Sequence, residues 1–137
     1  MPNPPELPET LIPVFARFDT ADREALLQAR GLVFEVAAND TRIGGIEETT
    51  RWGEAAYLPK TSRVGSTVRL GLEKTTGCPA VFFTCNTTLV EGFRAQFGDD
   101  LRYSKNRAVL LDGSGAGFEA KISTCIAQAL TYHLTKV

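Results

Sequence analysis

The spacing of apolar residues changes at Gly53, from helical spacing before it to strand-like alternation after it. Before Gly53, apolar residues recur every three or four positions, at Leu26, Ala29, Val33 and Val36. This spacing predicts a helix that begins at Asp19 or Thr20 and runs to about Ala38. Helices followed by strands, without regular alternation of the two, are typical of an α+β domain rather than a doubly wound one.

Three short strands are predicted after this helical part, over residues 55–58, 67–73 and 80–85. In the middle strand, apolar Val68, Leu70 and Leu72 alternate with Arg69, Gly71 and Glu73. Such alternation is typical of a strand with one face on a core and the other facing water or a ligand. We therefore expect an antiparallel sheet with one uncovered face.

The last part of the chain predicts a helix, a hairpin and a second helix. Residues 88–91 match a capping box, which predicts the start of a helix. Residues 101–104 and 107–112 predict a hairpin. A glycine-rich loop over residues 113–117 then leads into the final helix.

The order of these elements predicts an α+β fold with a five-stranded, mainly antiparallel sheet and helices packed on one face. Residues 43–51 contain two adjacent acidic residues and are predicted to form a short helix, with Gly53 as its left-handed C-cap residue. Residues 1–10 are rich in proline and predict a flexible tail. Residues 11–137 are predicted to form a single domain.

Charge and composition limit the classes of partner. With 15 Lys and Arg against 16 Asp and Glu, the net charge is -1, so neither nucleic acid nor a membrane is expected as a partner. Residues 1–8 lack the features of a signal peptide, and no segment approaches the roughly 18 apolar residues of a spanning helix. We therefore expect a cytoplasmic protein. Three cysteines without a C-x-x-C pair indicate reduced thiols.

Three segments carry a resemblance to a known family. They are Glu-Glu-x-x-Arg-Trp-Gly-x-x-Ala-Tyr at residues 47–57, Phe-Phe-Thr-Cys-Asn-Thr-Thr-Leu at residues 82–89 and Asn-Arg-Ala-Val at residues 106–109. With these segments the chain resembles the YdhG-like bacterial domains of unknown function, some of which are described as frataxin-like. The resemblance covers most of the chain from about residue 20 onward. It implies a frataxin-like α+β fold and, for some members, an iron-carrier role.

Trp52, Tyr57, Arg69 and Arg107 are the candidate ligand-binding residues. The two aromatic residues could wall a small pocket, and the two arginines, on predicted strands of one sheet, could form an anion-binding surface. The alternatives are burial of the aromatic rings in the core and solvation of the arginines. We expect the Trp52 ring, at a helix-to-strand junction, to be at least half buried, so Trp52→Ala is predicted to destabilise the fold. Such a truncation costs about 3–5 kcal/mol when burial is full.

Glu47, Glu48 and Glu54 are candidate metal ligands under an alternative interpretation. Iron held without a cage prefers carboxylate oxygens, and the three residues lie close in sequence. The other interpretation is that these acids stabilise a helix start and are solvated, with Arg51 neutralising one of them. Without iron, no cofactor is expected.

The sequence favours a binding domain over an enzyme. His133 is the only histidine, and no nucleophile with a base can be assembled from spacing. Cys85, ahead of a predicted helix N-terminus, is the best candidate for a reactive thiol, although burial and slow alkylation are expected. The leading hypothesis is a non-enzymatic domain that binds a small molecule or a protein through the open face of the sheet and the corner between Trp52 and Tyr57. The alternative is a frataxin-like iron carrier.

Overall fold

Six strands of the described chain form one antiparallel sheet, and α2 and α4 pack against one of its faces. A computed structural model describes residues 4–84 and 87–135, so the predictions for Cys85 lie outside the described residues. The helices are α1 (Ile12–Ala16), α2 (Thr20–Ala38), α3 (Leu89–Phe97), α4 (Ala116–Leu130) and α5 (Tyr132–Thr135). The strands are β1 (Ile46–Arg51), β2 (Glu54–Pro59), β3 (Val68–Leu72), β4 (Pro79–Phe82), β5 (Tyr103–Ser104) and β6 (Ala108–Leu110). The strand order is β1-β2-β3-β4-β6-β5. No helix in this part of the chain is long and apolar enough to cross a membrane.

The core lies between the two long helices and the covered face of the sheet. The strands contribute buried Tyr57, Val68, Leu70, Val81 and Val109, α2 contributes Leu26, Ala29 and Val33, and α4 contributes Ile122, Ile126 and Leu130. The predicted start of α2 is confirmed, because Asp19 is its N-cap and accepts a hydrogen bond from the Asp22 amide at 2.9 Å. The α+β class, with helices against an antiparallel sheet, is therefore confirmed.

β1 is a strand where the sequence predicts a helix, so that prediction is wrong. Residues 43–51 were expected to form a helix, whereas β1 pairs with β2 along its whole length. The β-branched Thr49 and Thr50 favour a strand, and pairing with β2 outweighs the helical preference of the neighbouring acids. Gly53 has a positive φ of 77°, but in the β1–β2 turn rather than at a helix end. This strand makes the sheet six-stranded instead of five-stranded.

α3 begins at the predicted residue without the predicted capping box. Leu89 is its first residue, but within the described chain the Thr88 side chain makes no capping hydrogen bond. The hydroxyl of Thr87 instead accepts from the Leu89 amide at 3.4 Å. The later hairpin is confirmed, since β5 and β6 pair in antiparallel fashion around a turn in which Lys105 has a φ of 51°.

A buried polar cluster joins β1 to α2. Arg30 donates from Nε and Nη2 to the two carboxylate oxygens of Glu48, at 2.5 and 3.0 Å. The Tyr57 hydroxyl donates to the same carboxylate at 2.8 Å. The side chains of Arg30 and Glu48 are only 5% and 7% exposed. Burial and then the nearby Glu48 carboxylate raise the pKa of Tyr57, and the bond to Glu48 raises the pKa of Arg30. Both groups therefore stay protonated as donors at neutral pH.

We expect Glu48→Ala to lower the free energy of unfolding by about 3–5 kcal/mol, because it leaves the buried Arg30 without its anionic partner. Glu47→Ala is the matched control, since Glu47 is exposed on the opposite face of β1. Its replacement should change the free energy of unfolding by no more than about 0.5 kcal/mol. Urea denaturation of the three proteins measures both effects. Equal losses in the two variants would contradict a structural role for the ion pair.

Candidate functional site

The sheet face opposite α2 and α4, here named the open face, carries the candidate site. The register places one row of residues across this face, consisting of Ala56, Arg69, Phe82, Ala108 and Ser104. Directly paired residues of an antiparallel sheet point to the same side. Arg69 therefore lies near the middle of the open face, beside Phe82, which belongs to a small apolar cluster separate from the main core.

Two adjacent depressions on the open face share Trp52, Arg69 and Arg107, and together they are named the open-face groove. The first has a volume of about 380 Å³ and is also lined by Glu54, Leu72, Glu73, Lys74, Thr75, Phe82, Ser104 and Lys105. The second has a volume of about 350 Å³ and is also lined by Arg51, Thr67, Phe83 and Thr84. Small-molecule sites in proteins typically measure about 300–1,000 Å³. Each depression is therefore large enough for a small ligand.

Trp52 lies at the tip of the β1–β2 hairpin and is 90% exposed, so the expected burial of its ring is wrong. Trp52 and Gly53 form a two-residue turn with φ values of 56° and 77°, positive at both positions as in a type I′ turn. A bulky residue at positive φ costs about 1–3 kcal/mol. Arg17 steadies the turn by donating from Nη2 to the Gly53 carbonyl at 2.8 Å. The tight turn directs the indole into solvent. Burial of the ring therefore does not offset the strain in the Trp52 backbone.

Arg69 is held in position by contacts on two sides. Its Nη1 donates to Oε1 of Glu54 at 2.5 Å, and its guanidinium carbon lies 5.4 Å from the centroid of the Phe82 ring. The Glu54 carboxylate occupies the space that a side chain at Gly71 would fill. Burial in this notch raises the pKa of Glu54, against the opposing effect of Arg69. The pair therefore fixes the direction of one cation on the floor of the groove.

Glu73 fixes the end of the groove nearest β5. Its carboxylate accepts from the amides of Thr75 and Thr76 at 3.1 and 2.9 Å, from the Thr76 hydroxyl at 2.9 Å and from the Ser104 hydroxyl at 3.1 Å. The residue is 6% exposed. These bonds, led by that from the Thr75 amide, lower the pKa of Glu73 to about 2. The carboxylate therefore has a structural task, tying the β3–β4 turn to β5.

The structure brings together three of the four predicted ligand-binding residues. Trp52, Arg69 and Arg107 line both depressions. Tyr57 is fully buried among the core residues on the covered face, because strand residues alternate between the two faces of a sheet. The predicted corner of two aromatic rings is therefore not formed, and Tyr57 acts as a hydrogen-bond donor inside the protein.

The structure separates the three predicted metal ligands. Glu48 lies on the covered face within the polar cluster, whereas Glu47 and Glu54 lie on the open face near opposite ends of the β1–β2 ladder. Among residues 4–84 and 87–135, no group of three or more His, Cys, Asp or Glu side chains is placed to hold a metal ion.

The groove is cationic although the whole chain is not. Arg51, Arg69 and Arg107 line the smaller depression, and no carboxylate of the described chain lines it with them. Lys74 and Lys105 add to the lining of the larger depression. The two carboxylates of that lining already accept hydrogen bonds from neighbouring side chains. This arrangement can hold an anion.

Three of these cations were not among the residues predicted from the sequence. Arg51 was predicted to lie in a helix. Lys74 and Lys105 lie in or beside turns, where the alternation of apolar and polar residues does not show which face of the sheet a side chain is on. The signal that locates Arg51 is the Trp-Gly pair of a two-residue hairpin turn, because the residues flanking such a turn pair directly and share a face. Arg51 is indeed paired with Glu54.

We expect Trp52→Asn to raise the free energy of unfolding by about 1 kcal/mol, because Asn adopts positive φ more readily than Trp and the indole is exposed. Tyr57→Ala provides the contrast. Truncation of this buried aromatic residue should lower the free energy of unfolding by about 3–5 kcal/mol. Urea denaturation compares the two variants, and a large loss of stability in Trp52→Asn would contradict the exposed position of the ring.

We expect the bonds to Glu73 to make stability fall in acid. The pKa of Glu73 is about 2 in the folded chain against the usual 4.5, so its contribution is full above pH 4.5. The contribution is lost as the pH falls from 4.5 towards 2, because only the unfolded chain readily takes up the proton there. Urea denaturation at several pH values should give a flatter profile for Glu73→Gln, with Ser104→Ala in between. Identical profiles for the three proteins would refute this role.

Comparison of the chain with protein-family models, with curated proteins and with solved structures found no match in any of the three. The resemblance to YdhG-like domains therefore stays a prediction. The chemistry of the open-face groove carries the functional conclusion.

Proposed function

We propose that this chain is a non-enzymatic domain that binds a small anionic molecule in the open-face groove. The observation that carries the proposal is the convergence of Arg51, Arg69 and Arg107 on one depression of about 350 Å³. Because the net charge of the chain is -1, these cations form a local positive surface rather than part of a generally basic protein. Such a concave positive surface attracts anions from solution.

Arg69 favours tight binding because its direction is set before a ligand arrives. Glu54 and the Phe82 ring hold it in place, which reduces the side-chain entropy lost on binding. Its guanidinium has five N–H donors, and Glu54 accepts from one nitrogen, so others are left for a ligand. Thr67 and Thr84 line the same depression, and each has a hydroxyl group that can donate to an oxyanion.

The alternative implied by the family resemblance is iron carriage by a frataxin-like fold. Iron carriage would require Glu47, Glu48 and Glu54 to act on one ion, whereas the sheet distributes them over two faces. The anion-binding proposal has better support, because its residues share one depression.

Calorimetric titration with inorganic phosphate tests the proposal. We expect Arg107→Gln to weaken binding by about tenfold, the effect of losing one charge-assisted hydrogen bond worth about 1.5 kcal/mol. Arg42→Gln is the matched control, since it removes the same charge from an exposed arginine that pairs with Asp40 away from the groove. The control should retain the wild-type affinity. Phosphate binding that is absent, or equally affected by both substitutions, would rule the proposal out.

A further inference from the structure

Trp52 lines both depressions of the groove while remaining largely exposed. Its backbone adopts a positive φ, a conformation that Asn and Gly adopt with less strain. Neither burial nor turn geometry therefore accounts for a tryptophan at this position. A large flat ring beside a cationic depression suits the stacking of a second ring, because aromatic rings attract one another in an offset-stacked arrangement.

The other aromatic side chains of the groove lining are buried against other protein groups. Phe82 is 8% exposed and lies beneath the Arg69 guanidinium, and Phe83 is 2% exposed within the core. Among the described lining residues, Trp52 is thus the aromatic side chain with a free face. A ring that enters the groove would stack on this indole.

The arginines beside Trp52 specify the charged part of such a ligand. Arg51, Arg69 and Arg107 line one depression, and no carboxylate of the described chain lines it with them. Arg69 is paired with Glu54 of the adjoining depression, but Arg51 and Arg107 add two further positive charges, which suits a group of more than one negative charge. A phosphate monoester carries about two negative charges at neutral pH and three acceptor oxygens. A guanidinium group can donate two parallel hydrogen bonds to two of these oxygens. A single carboxylate offers fewer acceptors for the same three cations.

We propose that the ligand of the open-face groove is a phosphate monoester that bears a planar ring, with its ring stacked on Trp52 and its phosphate held by Arg69 and Arg107. This inference rests on the proposed anion-binding function and adds the chemical class of the ligand. Each depression has the volume of a small-molecule site, and the shared Trp52, Arg69 and Arg107 place ring and phosphate side by side.

Calorimetry with three probes, AMP, ribose 5-phosphate and adenosine, tests the two parts of the ligand separately. We expect AMP to bind the wild type about tenfold more tightly than ribose 5-phosphate, as one stacked base contributes. Adenosine should bind more weakly than AMP. In Trp52→Asn, which keeps a residue suited to the turn, AMP and ribose 5-phosphate should bind equally, whereas Trp52→Phe should restore part of the difference. Urea denaturation confirms that each variant is folded.

The outcomes distinguish this inference from the function on which it rests. If AMP and ribose 5-phosphate bound the wild type equally, the inference that the ligand bears a stacked ring would be wrong, while the anion-binding proposal would still hold. If adenosine and AMP bound equally, the inference that the ligand carries a phosphate would be wrong. If Trp52→Asn still bound AMP more tightly than ribose 5-phosphate, the assignment of Trp52 as the stacking residue would be wrong. If neither AMP, ribose 5-phosphate nor inorganic phosphate binds, both the inference and the proposed function fail.

Discussion

The ion pair between Arg30 and Glu48 determines where the edge of the sheet lies. Within β1 only Ile46 is buried, so apolar contact alone gives this strand little hold on the core. A paired, hydrogen-bonded charge in the interior resists displacement, because moving one partner leaves the other buried and uncompensated. Arg30 also donates to the Pro5 carbonyl at 2.8 Å, which draws the proline-rich segment to the same point. The position of β1 then sets the hairpin tip beside the groove.

The core residues and the proposed binding residues lie on opposite faces of the sheet. In β3, Val68 and Leu70 enter the core, while Arg69 and Gly71 lie on the open face. The missing side chain at Gly71 leaves room for the Glu54 carboxylate, which in turn directs Arg69. Since α2 and α4 pack on the other face, the side chains of Arg69 and Glu54 stay partly exposed and avoid the cost of full burial.

The sequence predicted best those elements whose apolar residues repeat with a clear period. The helical stripe of α2 and the alternation in β3 come from contact with one shared core, so both are visible in the chain itself. β1 was not predicted as a strand, because an edge strand that is held by polar bonds has too few apolar residues to show a period. The prediction of a helix there also misplaced Trp52, since a helix-to-strand junction was expected where a tight turn projects the ring outward.

The candidate site was partly predictable for the same reason. Arg69 lies between strand positions that enter the core, so its place on the open face follows from alternation. Arg107 lies in the turn before β6, next to Ala108 of the open face, so alternation does not give its place. Tyr57 could not be assigned to a face until the turn at Trp52 and Gly53 fixed the register. Lys74 and Lys105 reach the groove through the folding of turns, which apolar spacing does not encode.

The exposed hairpin tip has a consequence for how related chains can differ. The side chain at position 52 is 90% exposed, and its backbone conformation is one that smaller residues adopt more readily. Folding therefore places little demand on the identity of this residue, whereas Glu48 and Tyr57 cannot change without disturbing the interior. A relative with Asn or Gly at this position would keep the same sheet and lose the aromatic surface. Under the proposed function, the residue at this position would therefore vary with the ligand that is bound and not with the fold.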